Sequence, residues 1–208
     1  QRSASRREHN PARAMTLAMR SPSLVFSMFF AIGMSCRPGC RKSSVLDRMA
    51  RGRHQCVMSE KDSELMVLAL DQARQAAARG EVPVGAVLAT ADGRVVSADG
   101  NRVEALSDPT AHAEILAIRA AAAETGSPRL GGLDLFVTLE PCAMCAQAMS
   151  LARIRRVVFA AYDPKGGGVE HGARVFSHAT CHHAPEVIGG FMESDASVLL
   201  KDFFKQRR

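Results

Sequence analysis

His112, Glu114, Cys142 and Cys145 are the residues of this 208-residue chain whose types and spacing suit chemistry. They lie in two short stretches, Asp108-Pro109-Thr110-Ala111-His112-Ala113-Glu114 and Pro141-Cys142-Ala143-Met144-Cys145. One imidazole and two thiolates make a zinc triad, and a catalytic zinc keeps its fourth position for water. Two thiolates also neutralise the ion, so no net cation is buried. Bound zinc lowers the pKa of water from about 15.7 to roughly 7, which supplies hydroxide at neutral pH. Hydroxide attack still needs protons moved to the substrate. Glu114, two residues past His112 and not needed as a ligand, is the proton carrier, a role worth about 10² to 10⁴ in rate.

The elements that must position these groups can be read nearby. Asp108 suits a helix N-cap and Pro109 a first helical position, and Pro141 gives the same signal ahead of Cys142. Two helix N-termini would then converge on the metal, their partial positive ends favouring thiolate and hydroxide. Cys142 and Cys145, at i and i+3, share one helix face. Taken alone, C-x-x-C reads as a redox pair or half of a structural zinc finger. A structural site would call for a fourth protein ligand, which Cys181, His182 or His183 could supply.

Residues 1–57 differ from the rest. They hold 11 Lys/Arg against 2 Asp/Glu, a net +9, whereas residues 58–208 hold 16 against 19, a net −3. The basic balance of the chain is therefore no evidence that its body binds nucleic acid, and any such surface must be a local patch. The Leu24–Met34 apolar run, 11 residues long, is too short to span a membrane. The leader is expected to be disordered, and three readings stay open: an upstream extension absent from the working protein, an organellar transit peptide, or a secretory signal. Cys36, Cys40 and Cys56 lie in it. A thiolate-zinc site fits a reducing compartment, hence the cytoplasm, or an organelle if the leader is a transit peptide.

From Met58 on, the pattern alternates. Ser59 to Asp62 resembles a capping box, followed by Leu65, Leu68, Ala69, Ala73 and Ala76 at helical spacing, with Gly80 suited to the helix end. Val84–Thr90 and Arg94–Ala98 read as a hairpin about Ala91-Asp92-Gly93. The helix after Asp108 carries Ile115, Ile118 and Ala122 on one face and ends near Thr125. Strands follow at Asp134–Leu139 and Val157–Ala161, with an edge strand at Glu186-Val187-Ile188. The Lys165–Gly168 run, lacking phosphate-loop spacing, reads as a mobile connection. A C-terminal helix over Asp195–Arg208 would turn Val198, Leu199 and Phe203 inward. Arg153, Arg155 and Arg156 are either a phosphate patch or a solvated face. Such alternation indicates an α/β layer fold, a central sheet with helices on its faces and the site at one sheet edge.

The H-x-E and P-C-x-x-C pair is a recognised signature of zinc-dependent nucleobase deaminases. From Met58 to the end the chain resembles the bacterial tRNA-specific adenosine deaminase family. The matching stretches are Glu81–Ala86, Asp108–Ile115, Val137–Cys145, Arg155–Phe159 and the closing Asp202–Arg208. The resemblance implies a three-layer cytidine deaminase-like fold, with a central mixed sheet of about five strands flanked by helices, and a deaminase domain over residues 58–208. It implies hydrolytic deamination of the wobble adenosine of a tRNA anticodon to inosine, one Zn²⁺ per subunit, a homodimer, and no membrane association. By position, His112, Cys142 and Cys145 would hold zinc and Glu114 would shuttle protons. Asn101 would contact the flipped nucleotide, with Val84 and the Ala113 backbone lining the pocket and Asp163 and Phe203 near the bound loop. Tyr162, Pro164 and Glu170-His171-Gly172 depart from the family's pattern in the loop expected to touch RNA. Two further readings stand beside this one: a deaminase of a free base or nucleoside of guanine or cytosine type, and a non-catalytic binding module closed by a four-ligand zinc.

Overall fold

A reciprocal pair of hydrogen bonds starts the first helix. The Asp62 N–H donates to Ser59 Oγ at 3.1 Å, and the Ser59 N–H donates to Asp62 Oδ2 at 2.9 Å, so the capping box is formed. These contacts are drawn from a computed structural model that describes residues 58–207. The leader, its three cysteines and Arg208 lie outside the described residues. Helix α1, Glu60–Ala78, buries Leu65, Met66, Ala69, Leu70, Ala73 and Ala76. Leu68, expected inward, is 43% exposed. Met66 and Leu70 take the inward stripe instead, which leaves Leu68 on the far side of the helix.

The sheet has five strands in the order β2-β1-β3-β4-β5. β1 (Gly85–Thr90) pairs antiparallel with β2 (Val95–Gly100) and with β3 (Leu133–Leu139), while β3, β4 (Arg156–Ala161) and β5 (Glu186–Ile188) run parallel. The expected mixed sheet, hairpin and edge strand are therefore all present. Successive residues of β1, β3 and β4 serve opposite faces. Ala86, Leu88, Leu135, Val137, Val157 and Phe159 pack into one cluster, whereas Val87, Ala89, Phe136, Val158 and Ala160 pack into the other. Both faces are covered, so β1 and the middles of β3 and β4 read as apolar runs with no polar alternation.

Helix α1 and the C-terminal helix α5 (Glu193–Lys205) cover one face. Helices α3 (Ala113–Thr125) and α4 (Ala143–Ala152) cover the other. A short helix α2, Val103–Leu106, sits between β2 and α3. On α5 it is Ala196 and Phe203 that are buried, and Val198, expected inward, is 56% exposed. On α3 Ile115 is buried as expected, with Ala113, Ala117 and Ala121, while Ile118 and Ala122 are only half-buried. Small residues there let the helix lie close to the sheet. Closeness is required on the other face too. Gly85 and Gly100 are register partners, and a Cβ on either would come within 2.1 and 2.5 Å of carbonyl oxygens of α1, those of Ala69 and Gln72.

The strand starts opposite the chemistry are held by charge. Asp134 Oδ2 accepts from Arg155 Nη2 at 2.5 Å and from Arg156 Nε at 2.9 Å, and Arg156 Nη2 reaches Asp62 Oδ1 at 2.5 Å. Arg156 is thus committed to buried structural ion pairs, whereas Arg155, paired with Asp134, stays partly exposed. Burial pushes the Asp62 carboxyl up, but the Ser59 N–H and hydroxyl and the Arg156 guanidinium outweigh it and hold it below the usual range. A carboxyl depressed on folding stabilises the fold above its unfolded pKa, about 3.9, and that stabilisation is lost as pH falls through the folded value. Removing one partner of a buried pair costs about 3 kcal/mol. Arg156→Ala is expected to lower the thermal midpoint by roughly 6–12 °C and to flatten the loss of stability below about pH 4. Calorimetry at pH 3 to 7 reads both effects.

Candidate metal centre and active-site cleft

Two loops that end in helix N-termini meet at one point beyond the end of β3. The first begins where β2 ends at Gly100 and passes through Asn101 and α2. Asp108 does not cap the following helix. Its Oδ1 accepts from the Thr110 N–H at 2.8 Å and the Thr110 hydroxyl at 2.7 Å, which makes a local side-chain turn. Helix α3 therefore starts four residues later than the Asp-Pro signal indicates, with His112 as its N-cap in extended conformation. In the second loop Cys142 is the N-cap of α4 in the same way, and Cys145 stands inside the first turn. The convergence of two N-termini is as expected, but His112 and Cys142 occupy the cap positions themselves.

His112 Nδ1 lies 3.7 Å from Cys142 Sγ and 3.6 Å from Cys145 Sγ, and all three ligand atoms fall within 4.8 Å of one another. A tetrahedral zinc with Zn–S near 2.3 Å and Zn–N near 2.0 Å separates such atoms by about 3.5 Å. The donor set and its spacing therefore fit zinc. Among the described residues no fourth ligand joins the group. The Cys181 thiol is engaged elsewhere, 3.3 Å from Ser150 Oγ and 3.2 Å from the His183 carbonyl oxygen, and His183 Nε2 is 2.7 Å from the Ile154 carbonyl oxygen. Hydrogen bonding from Cys145 and His112 holds the Cys142 thiol down to about 4 against the opposing effect of burial. Its thiolate in turn raises His112. The same neighbour, with burial, pushes Cys145 up.

Glu114 follows on the first turn of α3 and is 3% exposed. Burial pushes its carboxyl above the usual range, and its own backbone N–H and His112 offset this only in part. A carboxyl so raised holds a proton more readily than an exposed glutamate does. Glu114, His112 and Cys142 open on a cleft of about 380 Å³, which Val84, Asn101 and Asp163 also line. Ala113 and Cys145 are fully buried. Phe203 is buried and does not line this cleft. Its ring carries the Arg207 guanidinium at 4.1 Å, and Arg207 does line the cleft, its Nη2 2.5 Å from the Gly80 carbonyl oxygen.

Two buried acids in the cleft wall carry more of the construction than the motifs indicate. Glu140, the residue before Pro141, accepts through Oε1 from the N–H groups of Val169 (3.3 Å), Glu170 (2.9 Å) and His171 (2.9 Å). Through Oε2 it accepts from the Asp163 N–H at 3.1 Å, and His171 Nδ1 stands at 2.7 Å. Burial pushes its carboxyl up, but these donors, His171 first, hold it below the usual range. The glycine run is consequently a tied loop, not a mobile connection. The Gly168 N–H donates to the Pro141 carbonyl at 2.8 Å, and a Cβ on Gly167 would stand 2.5 Å from Glu140 Cδ. Glu81 is the second acid, 2% exposed and bonded to Asn101 and Ala105. Each precedes a proline closely in an otherwise apolar stretch, and a charge placed there has to be paired when buried. That signal was available in the sequence.

Residues 59–161 match the family model described as the cytidine and deoxycytidylate deaminase zinc-binding region. A tRNA-specific adenosine deaminase of Agrobacterium fabrum is 56% identical over 146 residues, spanning 70% of this chain and 95% of that protein. One of the same description from Aquifex aeolicus is 44% identical over 141 residues, 68% of this chain and 92% of its own. A solved structure from biochemical and structural studies of A-to-I editing by tRNA:A34 deaminases superposes with a TM-score of 0.65 at 56% identity. It covers 66% of this chain and 99% of that one.

The Glu140 anchor makes a sharp expectation. In Glu140→Ala, the backbone amides of Asp163, Val169, Glu170 and His171 lose their common acceptor, and an N–H left unpaired while buried costs about 1–3 kcal/mol. The loop should therefore open: these four amides lose hydrogen-exchange protection by about tenfold or more while those of β4 hold theirs. Equal protection in the variant would show that the loop is held by something else.

Proposed function

Because the chain belongs to the tRNA-specific adenosine deaminase family, we propose that it hydrolyses the wobble adenosine of a tRNA anticodon to inosine, releasing ammonia. The observation that carries the reading is the juxtaposition of the His112, Cys142 and Cys145 donors with buried Glu114 on one cleft. His112, Cys142 and Cys145 would hold one Zn²⁺ per subunit, which when bound supplies a Lewis acid that lowers the pKa of water toward neutrality.

The chain's own residues do the rest. Glu114 takes a proton from the attacking water and delivers it to N1 of the purine, then takes the proton of the hydroxyl newly bonded to C6 and passes it to the amine, which leaves as ammonia while C6 becomes the carbonyl of inosine. Its burial and raised pKa suit both halves of that shuttle. Val84 and Asn101 form the wall against which the base is set, with the Ala113 backbone behind it at the start of α3. Asp163 faces the chain leading away from the reacting nucleotide, and Phe203 acts through Arg207, whose guanidinium it supports at the cleft. An anticodon loop is single-stranded, so its base is extruded at little cost.

The deaminase domain is assigned to residues 58–208, supported by the family match over 59–161. The subunit is proposed to work as a homodimer, and the exposed Leu106 and Leu151 are apolar surface for such a contact. No described helix is long and apolar enough to cross a membrane. The proposed location is the cytoplasm, whose reducing conditions preserve the thiolate ligands.

The test uses the purified full chain with tRNA bearing adenosine at the wobble position, beside guanine and cytidine as free substrates. Inosine is expected at that base alone, read as A-to-G on sequencing. Glu114→Ala should lower the rate at least about 100-fold with zinc content unchanged, and a chelator should abolish activity that added zinc restores. Deamination of a free base with the tRNA untouched would overturn the substrate; a zinc-bound protein inert toward all three would overturn the enzyme.

A further inference from the structure

Glu81 has no part in the zinc chemistry, yet its carboxylate is almost completely buried in the cleft wall, and its two hydrogen-bond partners are both neutral. Oε1 accepts from the Ala105 N–H of α2 at 2.9 Å, and Oε2 accepts from Asn101 Nδ2 at 3.3 Å. The Ala105 donor belongs to the backbone and cannot turn. The Asn101 backbone is pinned as well. Its N–H donates to the Val84 carbonyl at 3.0 Å, and its carbonyl accepts from Arg79 Nη2 at 3.3 Å. What remains free is the rotation of the Asn101 amide, and a carboxylate, which only accepts, dictates it. Nδ2 must face Glu81, so Oδ1 faces the other way. Among the described residues no protein donor reaches Oδ1, and Asn101 lines the cleft, 7% exposed.

We infer that Glu81 is a positioning residue that locks the Asn101 amide so that its oxygen, an acceptor, is presented to a hydrogen-bond donor of the bound nucleotide. The exocyclic amine and the ribose hydroxyls are the donors an adenosine offers. This rests on the proposed function for the identity of the nucleotide, though not for the orientation itself. A site built to bond a particular group rejects a misplaced donor strongly, because two donors then face each other unpaired.

The consequence is specific to a single atom change. In Glu81→Gln the new side-chain amide oxygen must take the fixed Ala105 N–H, so its NH2 turns to Asn101. Asn101 must then flip, presenting a donor to the nucleotide. In the double variant, Glu81→Gln with Asn101→Asp, the NH2 introduced at position 81 meets a carboxylate at position 101, whose second oxygen again faces the cleft as an acceptor. The full chain and these variants are assayed on wobble-adenosine tRNA, with zinc content and thermal midpoint alongside. Glu81→Gln should lower kcat/KM about 10- to 100-fold with zinc retained, and the double variant should recover at least about tenfold of that loss. A Glu81→Gln enzyme at the wild-type rate, or a double variant no better than the single one, overturns the inference.

A second readout is independent of catalysis. In the wild type, one Asn101 side-chain amide proton should be downfield-shifted and slow to exchange in nuclear magnetic resonance spectra, and this signature should be lost in Glu81→Gln. Its absence from the wild type overturns the inference. Its presence in a protein that makes no inosine upholds the orientation and places the failure in the proposed substrate.

Discussion

A buried carboxylate has to be satisfied, and the geometry of this site follows from where two of them are placed. Glu140 and Glu81 both line one cleft, and among the described residues neither has a Lys or Arg partner. Glu140 is instead satisfied mainly by backbone N–H groups of an irregular loop, and Glu81 by one backbone N–H of α2 and the Asn101 side-chain amide. That choice converts two acids into templates. Glu140 gathers Asp163, Val169, Glu170 and His171 into a loop, while Glu81 sets α2 and the Asn101 amide. The candidate metal donors stand at the N-terminal ends of two helices. The chemistry is therefore held by charge buried in peptide dipoles, a stiffer arrangement than one built on long flexible side chains.

The sheet divides its labour along its length. At the start of β3 and β4, Asp134 and Arg156, with Asp62 from α1, form a compact ion cluster far from any substrate. At the other end of β3, the chain runs through Leu139 into Glu140, Pro141 and the cysteine helix. Parallel strands place the loops that follow them on one edge, so β3 and β4 deliver the cysteines and the Asp163 loop side by side. β2, antiparallel to β1, reaches the same edge with its own end, Gly100, and brings Asn101. Three loops thus meet at one place because of strand direction alone.

Much of this was legible in the sequence, and the misses have physical causes. The meeting of His112, Cys142 and Cys145, the hairpin, the five strands and the helix order follow from spacing and apolar runs. Helix faces were read less well. With apolar residues on several sides of α1 and α5, periodicity could not say which of Leu68 or Met66, Val198 or Ala196, turned inward; packing against the sheet decided it. Asp108-Pro109 carries a genuine capping signal that Thr110 captured for a turn, leaving the cap to His112. Glycines 166–168 read as slack because their composition resembles a linker. In the fold, backbone and carboxylate groups leave no room there for a Cβ.

This also explains how the loop at Tyr162 to Gly172 can depart from the family's pattern without loss of the site. Glu140 recognises the loop almost entirely through main-chain N–H groups, which any residue but proline supplies. The side chains there are free to vary, and Pro164 falls at a position whose N–H Glu140 does not use. His171 adds a side-chain bond to the same carboxylate, and Tyr162 packs edge-on to both His171 and Phe159, at 5.9 and 5.2 Å. The departing residues thus reinforce the anchor instead of replacing it. Among the groups lining the cleft, Asn101 is the side chain that a buried acid other than Glu140 holds in place.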